Sequence, residues 1–147
     1  MEKNKIIIFC DGGSRGNPGP AAIGVVIEIR NEKGEMREYS KFLGEATNNE
    51  AEHQAVIFAL KKAKQVIGKA KAEKTAIEII MDSELVVNQL NGKFKIKEKD
   101  LIPFFIEIWN LKQDFGDVKF TAVPREKNKE ADRLVNKELD RQEAALF

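Results

Sequence analysis

Cysteine, histidine, tryptophan and tyrosine each occur only once among 147 residues, and these shortages exclude several chemistries. One cysteine, Cys10, cannot build an intramolecular disulfide framework, and a reducing, cytoplasmic setting fits. One cysteine and one histidine cannot supply the ligands of a zinc site. Long apolar runs are also missing. Ile6–Cys10 is too short for a signal-peptide core or a membrane span, so no membrane partner is expected. Charge of one sign is not in excess: 25 Lys and Arg oppose 24 Asp and Glu, for a net charge of +1. Binding of a polyanion through bulk charge is therefore not implied, and local patches or bound metal would have to do the attracting. No linker, repeat or low-complexity tract interrupts residues 1–147, so the chain reads as one domain, and nothing in it demands more than a monomer.

Hydrophobic residues make up 42% and charged residues 33%, as in a soluble protein with a real core. Ile6–Cys10 reads as a buried strand, and Gly12–Pro20 as a loop punctuated by Gly, Ser, Asn and Pro. Ala22–Arg30 reads as a second strand. Turn residues at Asn31–Gly34 lead into a poorly alternating third strand, Glu35–Leu43. Asn49–Ile67 has helical periodicity through Ala51, Ala55, Ala59 and Ala63, with Gly68 as its stop. Lys69–Lys74 is a charged connection and Thr75–Met81 a strand. Ser83–Leu90 is a short helix ended by Asn91 and Gly92, and Lys93–Asp100 is a basic, mixed segment. Leu101–Phe115 reads as a helix with Pro103 in its first turn, Val118–Val123 as the last strand and Lys129–Glu143 as the last helix. A hairpin followed by strand–helix alternation predicts an α/β protein, a mixed sheet with helices on its faces. In such sheets, sites gather beyond the carboxyl ends of parallel strands.

Two apolar runs end on an aspartate, IIIFC on Asp11 and AIEIIM on Asp82. An ionised Asp in an apolar setting is costly unless a cation meets it. Each of these acids also has a structural reading. Asp11 suits a turn, and Asp82-Ser83 suits a helix cap. Glu52 suits a capping box with Asn49 as N-cap. Asp132 suits the solvated face of the REKNKEADR run. Yet Glu52 is in phase with Ala55, Val56, Ala59 and Ala63, and Asp132 with Val135 and Leu139, the apolar sides of both helices. Glu50 should point elsewhere. Four acids placed toward one end of a sheet repel one another, and a divalent cation is their natural occupant. A metal-dependent enzyme acting on phosphates follows. The loop GGSRGNPG lacks the GxGxxG spacing of a dinucleotide site.

The segments DGGSRGNPGPAAIGVVI, ATNNEAEHQAVIFAL, IIMDSELVVNQLNG and VPREKNKEADRL together resemble the ribonuclease H family, type 1. They span nearly the whole chain and look most like its compact archaeal and bacterial members and the domain fused to reverse transcriptases. The resemblance implies a ribonuclease H-like fold: a five-stranded mixed sheet in the order 3-2-1-4-5, strand 2 antiparallel, with helices on both faces. It implies endonucleolytic hydrolysis of the RNA strand of RNA/DNA hybrids, leaving 5′-phosphate and 3′-hydroxyl ends. The family's four catalytic and metal-binding acids fall on Asp11, Glu52, Asp82 and Asp132, with two Mg²⁺ ions, or Mn²⁺ as a substitute, in a two-metal mechanism. Asn17, Asn48 and Asn49 would face the minor groove of the hybrid, where an amide can both donate to and accept from a 2′-hydroxyl. Gly12, Gly13 and Ser83 are further substrate-binding positions, and Thr47 resembles a contact to DNA phosphate.

The chain also departs from the family. Many members carry a histidine in the loop before the fourth acid, where this chain has Ala122–Asn128 and none. Arg125 is a substitute that would stabilise phosphate charge. His53 sits beside Glu52 but points about 100° away on a helix and reads as structural or solvent-facing. In place of a tryptophan-bearing basic helix there are Lys93, Phe94, Lys95, Lys97 and Lys99, of which Lys93, Lys95 and Lys97 are candidate phosphate contacts. Trp109, in phase with Ile102, Phe105 and Ile106, reads as core. Two rival functions stand beside hydrolysis. One is a non-catalytic module that binds hybrids or double-stranded RNA. The other is a resolvase or exonuclease of the wider superfamily, which the hybrid-reader segments TNNEAE and DGGSRGNPG disfavour.

Overall fold

The computed structural model describes residues 4–30 and 34–146. The turn expected at Asn31–Gly34 lies, apart from Gly34, outside the described residues. Five strands form one sheet: β1 (Asn4–Ser14), β2 (Gly19–Arg30), β3 (Glu35–Ala46), β4 (Thr75–Met81) and β5 (Asp117–Ala122). The helices are α1 (Asn48–Ile67), α2 (Lys69–Ala72), α3 (Glu84–Leu90), α4 (Ile102–Lys112) and α5 (Lys129–Ala145). The sheet order is β3-β2-β1-β4-β5, with β2 antiparallel to both neighbours and β1, β4 and β5 parallel, as expected.

Period-two alternation sorts the side chains of the central strands between two layers. Ile6, Ile8, Cys10, Ile77, Ile79 and Met81 face a buried core built with Val56, Leu60, Val86 and Ile108 from α1, α3 and α4. The other face is covered near the site by α5, whose Val135 and Leu139 pack on Ala22 and Phe42. The poor alternation of β3 follows from its place at the sheet edge, where most of its side chains are half-buried or exposed. No helix among the described residues is long and apolar enough to cross a membrane.

Several boundaries differ from the sequence reading. Gly12–Ser14 do not form a loop. They continue β1, paired with Ile23, Ala22 and Ala21, because the long β2 hairpin arm satisfies their backbone. The loop shrinks to Arg15–Pro18, and Asp11 sits inside the strand rather than at its end. Lys69–Ala72 of the expected connection is one helical turn. The helix expected at Leu101–Phe115 ends at Lys112 and is preceded by a 3₁₀ turn at Lys99–Leu101. The N-cap of α1 is Thr47, not Asn49. Its hydroxyl accepts the Glu50 N–H at 3.1 Å while Glu50 accepts the Thr47 N–H at 2.8 Å, so the capping box uses Glu50 and leaves Glu52 free.

Two glycines set how closely the helices approach. A Cβ on Gly12 would lie 2.2 Å from the Ala51 carbonyl oxygen and 2.6 Å from the Glu52 nitrogen, so α1 rests directly on the backbone of β1. A Cβ on Gly24 would lie 2.2 Å from the Ala131 carbonyl oxygen, so α5 rests on β2 in the same way. Gly24 pairs with Asp11 and shares its face, whereas Gly12 faces the opposite side. The two helices therefore close on the strands around Asp11 from opposite faces.

Gly12→Ala and Gly24→Ala should each destabilise the protein by about 3 kcal/mol or more, since the clash is with backbone that must move. Gly13→Ala is the control, because its Cβ would meet only the Val135 Cγ1 at 3.7 Å and should cost little. Chemical denaturation of the three variants measures this; equal stabilities would remove the close-approach account.

Candidate active site

Asp11 enters from the middle strand. Asp82 follows the last residue of β4, just past the point where the register between β1 and β4 ends at Phe9 and Ile80. Glu52 comes from the first turns of α1. One carboxylate oxygen from each of these three residues lies within 4.8 Å of the others. Asp132, in the first turn of α5, is outside that trio, but it is near enough for its charge to raise the pKa of Asp11. All four acids line one open cleft of about 460 Å³, together with Gly12, Gly13, Ser14, Asn48, Ser83 and Arg125.

The electrostatics of the cluster are unfavourable without a cation. Burial, and then the charges of Asp82 and Asp132, push Asp11 up to about 7 from its ordinary 3.8. Burial, followed by Asp11 and Asp82, raises Glu52 well above the usual carboxylate range. A hydrogen bond from the Gly12 backbone N–H works in the opposite direction and lowers the Glu52 pKa in part. Glu52 Oε2 is buried and has no hydrogen-bond partner. An unpartnered buried acceptor among crowded carboxylates fits a hard divalent cation, which takes oxygen ligands and favours the ionised forms.

The other candidates fall into separate groups. Asn17 Oδ1 accepts the Asn48 N–H at 3.0 Å, and Asn48 Oδ1 accepts the Ser14 N–H at 2.9 Å. The two amide oxygens are thereby held, and of the two residues Asn48 lines the cleft. Asn49 is half-buried, and its carbonyl accepts the His53 Nδ1–H at 2.7 Å. His53 is fully buried, so of its two expected settings it takes the structural one. Ser83 caps α3 by accepting the Val86 N–H at 3.3 Å. The exposed Arg125 guanidinium lies 3.8 Å from Asp132. Lys93, Lys95 and Lys97 line a different groove of about 490 Å³ with Leu85, Gln89, Phe94 and Glu98. Trp109 is not core: it is 54% exposed, because α4 buries Ile108 and turns the opposite side outward.

Two positioning residues escaped the sequence reading. Asn128 is 1% exposed. Its Nδ2 donates to the Cys10 carbonyl at 3.0 Å, and its own carbonyl accepts the Asp132 N–H at 3.2 Å. It thus ties the peptide beside Asp11 to the turn that carries Asp132. An Asn directly before the last helix was the available signal, through its capping preference. Arg15 reaches Asp140 and Glu143 at 2.7 Å each and fastens the Arg15–Pro18 loop, which holds Asn17, to α5.

Comparison with known proteins gives one family match and a consistent set of relatives. The Reverse transcriptase-like family matches residues 9–138. A ribonuclease H of Sulfurovum sp. is 30% identical over 98% of this chain and 97% of its own length. A bifunctional protein of Mycobacterium tuberculosis is 38% identical over 92% of this chain, and the chain spans only 36% of that relative's length. Among solved structures, LC11-RNase H1 in complex with an RNA/DNA hybrid superposes with a TM-score of 0.84 at 45% identity, covering 93% of this chain and 98% of that one.

Two outcomes are expected. Between pH 4 and 7 the cation-free folded protein keeps a proton on Asp11 that the unfolded chain, at about 3.8, has released. Its stability should therefore fall as pH rises through this window, by on the order of a few kcal/mol. Asp11→Asn should flatten that fall and stabilise the cation-free protein at neutral pH; thermal unfolding in EDTA across this range would expose the opposite trend. Asn128→Ala should weaken Mn²⁺ binding about 10–100-fold in calorimetry. Wild-type affinity in that variant would show that the tether does not position the acids.

Proposed function

This chain belongs to the ribonuclease H family, and from that premise we propose that it cuts the RNA strand of RNA/DNA hybrids internally. The products would carry 5′-phosphate and 3′-hydroxyl ends. The observation that carries the reading is the buried, unpartnered Glu52 Oε2 within a set of carboxylate oxygens 4.8 Å or less apart. A binding module has no use for acids whose proximity raises their own pKa values. The hybrid bound by LC11-RNase H1 supports the choice of substrate.

Asp11 would be shared between two divalent cations, Mg²⁺ or Mn²⁺, with Glu52 and Asp82 completing one site and Asp132 the other. When bound, such ions supply an attacking hydroxide at neutral pH and neutralise charge on the leaving oxygen. The protein fixes the acids before substrate arrives: Gly12 N–H orients Glu52, and Asn128 ties the backbone of Asp11 to that of Asp132. Asn17 and Asn48, with their oxygens engaged inside the protein, offer NH₂ donors that a ribose 2′-hydroxyl can accept. The Thr47 hydroxyl accepts from Glu50 and keeps its own proton for a phosphate oxygen. Asn49 and Gly13 would add contacts on the minor-groove side, and Ser83, which lines the cleft next to Asp82, would add a substrate contact there. Arg125, 3.8 Å from Asp132, would steady phosphate charge, and the groove of Lys93, Lys95 and Lys97 would take backbone phosphates farther along the duplex. The buried, unpaired Cys10 suits a reducing cytoplasm.

Asp11→Asn should lower hybrid cleavage by about a thousandfold or more while hybrid binding persists. The assay compares end-labelled RNA/DNA, RNA/RNA and DNA/DNA duplexes of one sequence with Mg²⁺, Mn²⁺ or EDTA. Cation-dependent internal cuts confined to the RNA of the hybrid are expected. Full activity in Asp11→Asn, or hybrid binding without cuts under any cation, would overturn the reading.

A further inference from the structure

Among the described residues, two cationic side chains line the cleft of the acids, Arg125 and Arg15. A cation there would ordinarily await a phosphate, and Arg125 is exposed, with its ion pair to Asp132 long at 3.8 Å. Arg15 is committed elsewhere. Its Nη1 donates to Glu143 Oε1 and its Nη2 to Asp140 Oδ1, at 2.7 Å each. Nη2 also lies 3.4 Å from Asn136 Oδ1 and 3.5 Å from the Asn136 carbonyl oxygen. Asp132, Asn136, Asp140 and Glu143 recur at the spacing of one stripe along α5. Asn136 Nδ2 donates to the Asp132 carbonyl at 3.1 Å. Arg15 thus grips the side of the helix that presents Asp132 to the site. Gly16, Asn17 and Pro18 are exposed, so polar contacts rather than burial hold the loop. On its other side, Asn17 Oδ1 receives the first amide of α1, from Asn48. The loop therefore bridges two helices that lie on opposite faces of the sheet.

We propose that Arg15 is a positioning residue that sets the preference for ribose: its twin ion pairs with Asp140 and Glu143 hold the Arg15–Pro18 loop where Asn17 and Asn48 can meet a 2′-hydroxyl. The inference rests on the proposed choice of hybrid as substrate. Three features favour positioning over a phosphate contact. The first is charge. A guanidinium facing two carboxylates is more than neutralised, and the pair of acids would repel a phosphate brought to it. The second is geometry. Each Nη takes a different carboxylate, so the planar fork fixes the direction of the side chain as well as its distance from α5. The third is connectivity. Asn48 Oδ1 accepts the Ser14 N–H at 2.9 Å while the Asn48 N–H donates to Asn17 Oδ1 at 3.0 Å, which closes a ring of bonds through residues 14–17. Arg15 is a link of that ring, so a displacement of Arg15 is passed to both amides. An N–H···O bond stays good over a span of only about 0.5 Å, which makes the reading of a sugar sensitive to such a shift.

The test measures binding rather than cleavage. Fluorescence anisotropy compares RNA/DNA and DNA/DNA duplexes of one sequence over a series of salt concentrations, in the Asp11→Asn chain with Mg²⁺ so that the duplex stays uncut. Adding Arg15→Ala should lower the preference for the hybrid about tenfold, the scale of one or two hydrogen bonds, and leave the salt dependence unchanged. Arg15→Lys keeps the charge but not the fork, and its preference should fall between the two. Asp140→Asn combined with Glu143→Gln should reproduce the loss seen in Arg15→Ala. This double variant separates the two roles by sign, because an Arg15 freed for phosphate would instead tighten both duplexes and steepen their salt dependence. In the otherwise wild-type chain, calorimetry should give each variant the wild-type Mn²⁺ affinity. A lost affinity would make Arg15 a general support of the fold and overturn the proposal. A parent chain without preference for the hybrid would overturn the substrate reading and this inference together. A preference that survives Arg15→Ala, or a salt slope reduced by about one with preference intact, overturns the inference alone.

Discussion

The site depends on how near two helices can come to a sheet. Glu52 and Asp132 lie on opposite faces of it, yet both must reach the carboxylate of Asp11 in the middle strand. An ordinary helix–sheet layer separates backbones by about 10 Å, a distance set by intervening side chains. Gly12 and Gly24 remove those side chains at two points, and the Ala51 and Ala131 carbonyls fill the space where each Cβ would stand. The acids are the next residues along both helices. Local packing of two glycines is thereby converted into the meeting of acids that are distant in sequence.

That meeting is maintained against electrostatic repulsion. The buried Asp11 and Glu52 hold protons at pH values where isolated carboxyls would have lost them. The surrounding structure resists relaxation: the apolar core beneath β1 and β4, the Thr47–Glu50 capping box and the Asn128 tether all fix the elements bearing the acids. Stability given up at the centre is offset by packing around it, as is usual for functional sites. A cation that replaces the protons returns part of that stability, which links occupancy of the site to its ionisation.

Much of this was legible in the sequence, and the remainder failed for physical reasons. Thr75–Met81 was read with its exact ends because its alternation is clean. Glu52 was marked because helical phase placed it on the core side, although its supposed cap was wrong: Thr47, Asn48 and Asn49 can all cap, and only tertiary placement chooses Thr47. Gly12–Ser14 looked like a loop because composition records turn residues but not the pairing of β2 that holds them extended. Gly24 went unmarked, since a glycine inside a strand signals a close approach without saying what approaches. Trp109 was misplaced because periodicity finds an apolar stripe but cannot tell which of two such stripes the fold covers.

The most direct measurement of the central claim is the number of protons released when a divalent cation binds. Calorimetric titration of Mn²⁺ into the cation-free protein below pH 7, repeated in buffers of different ionisation enthalpy, gives that number. If crowded, buried acids await a cation, binding should expel close to one proton or more per protein, and Asp11→Asn should reduce the release. Binding without proton release, or no binding at all, would contradict the account.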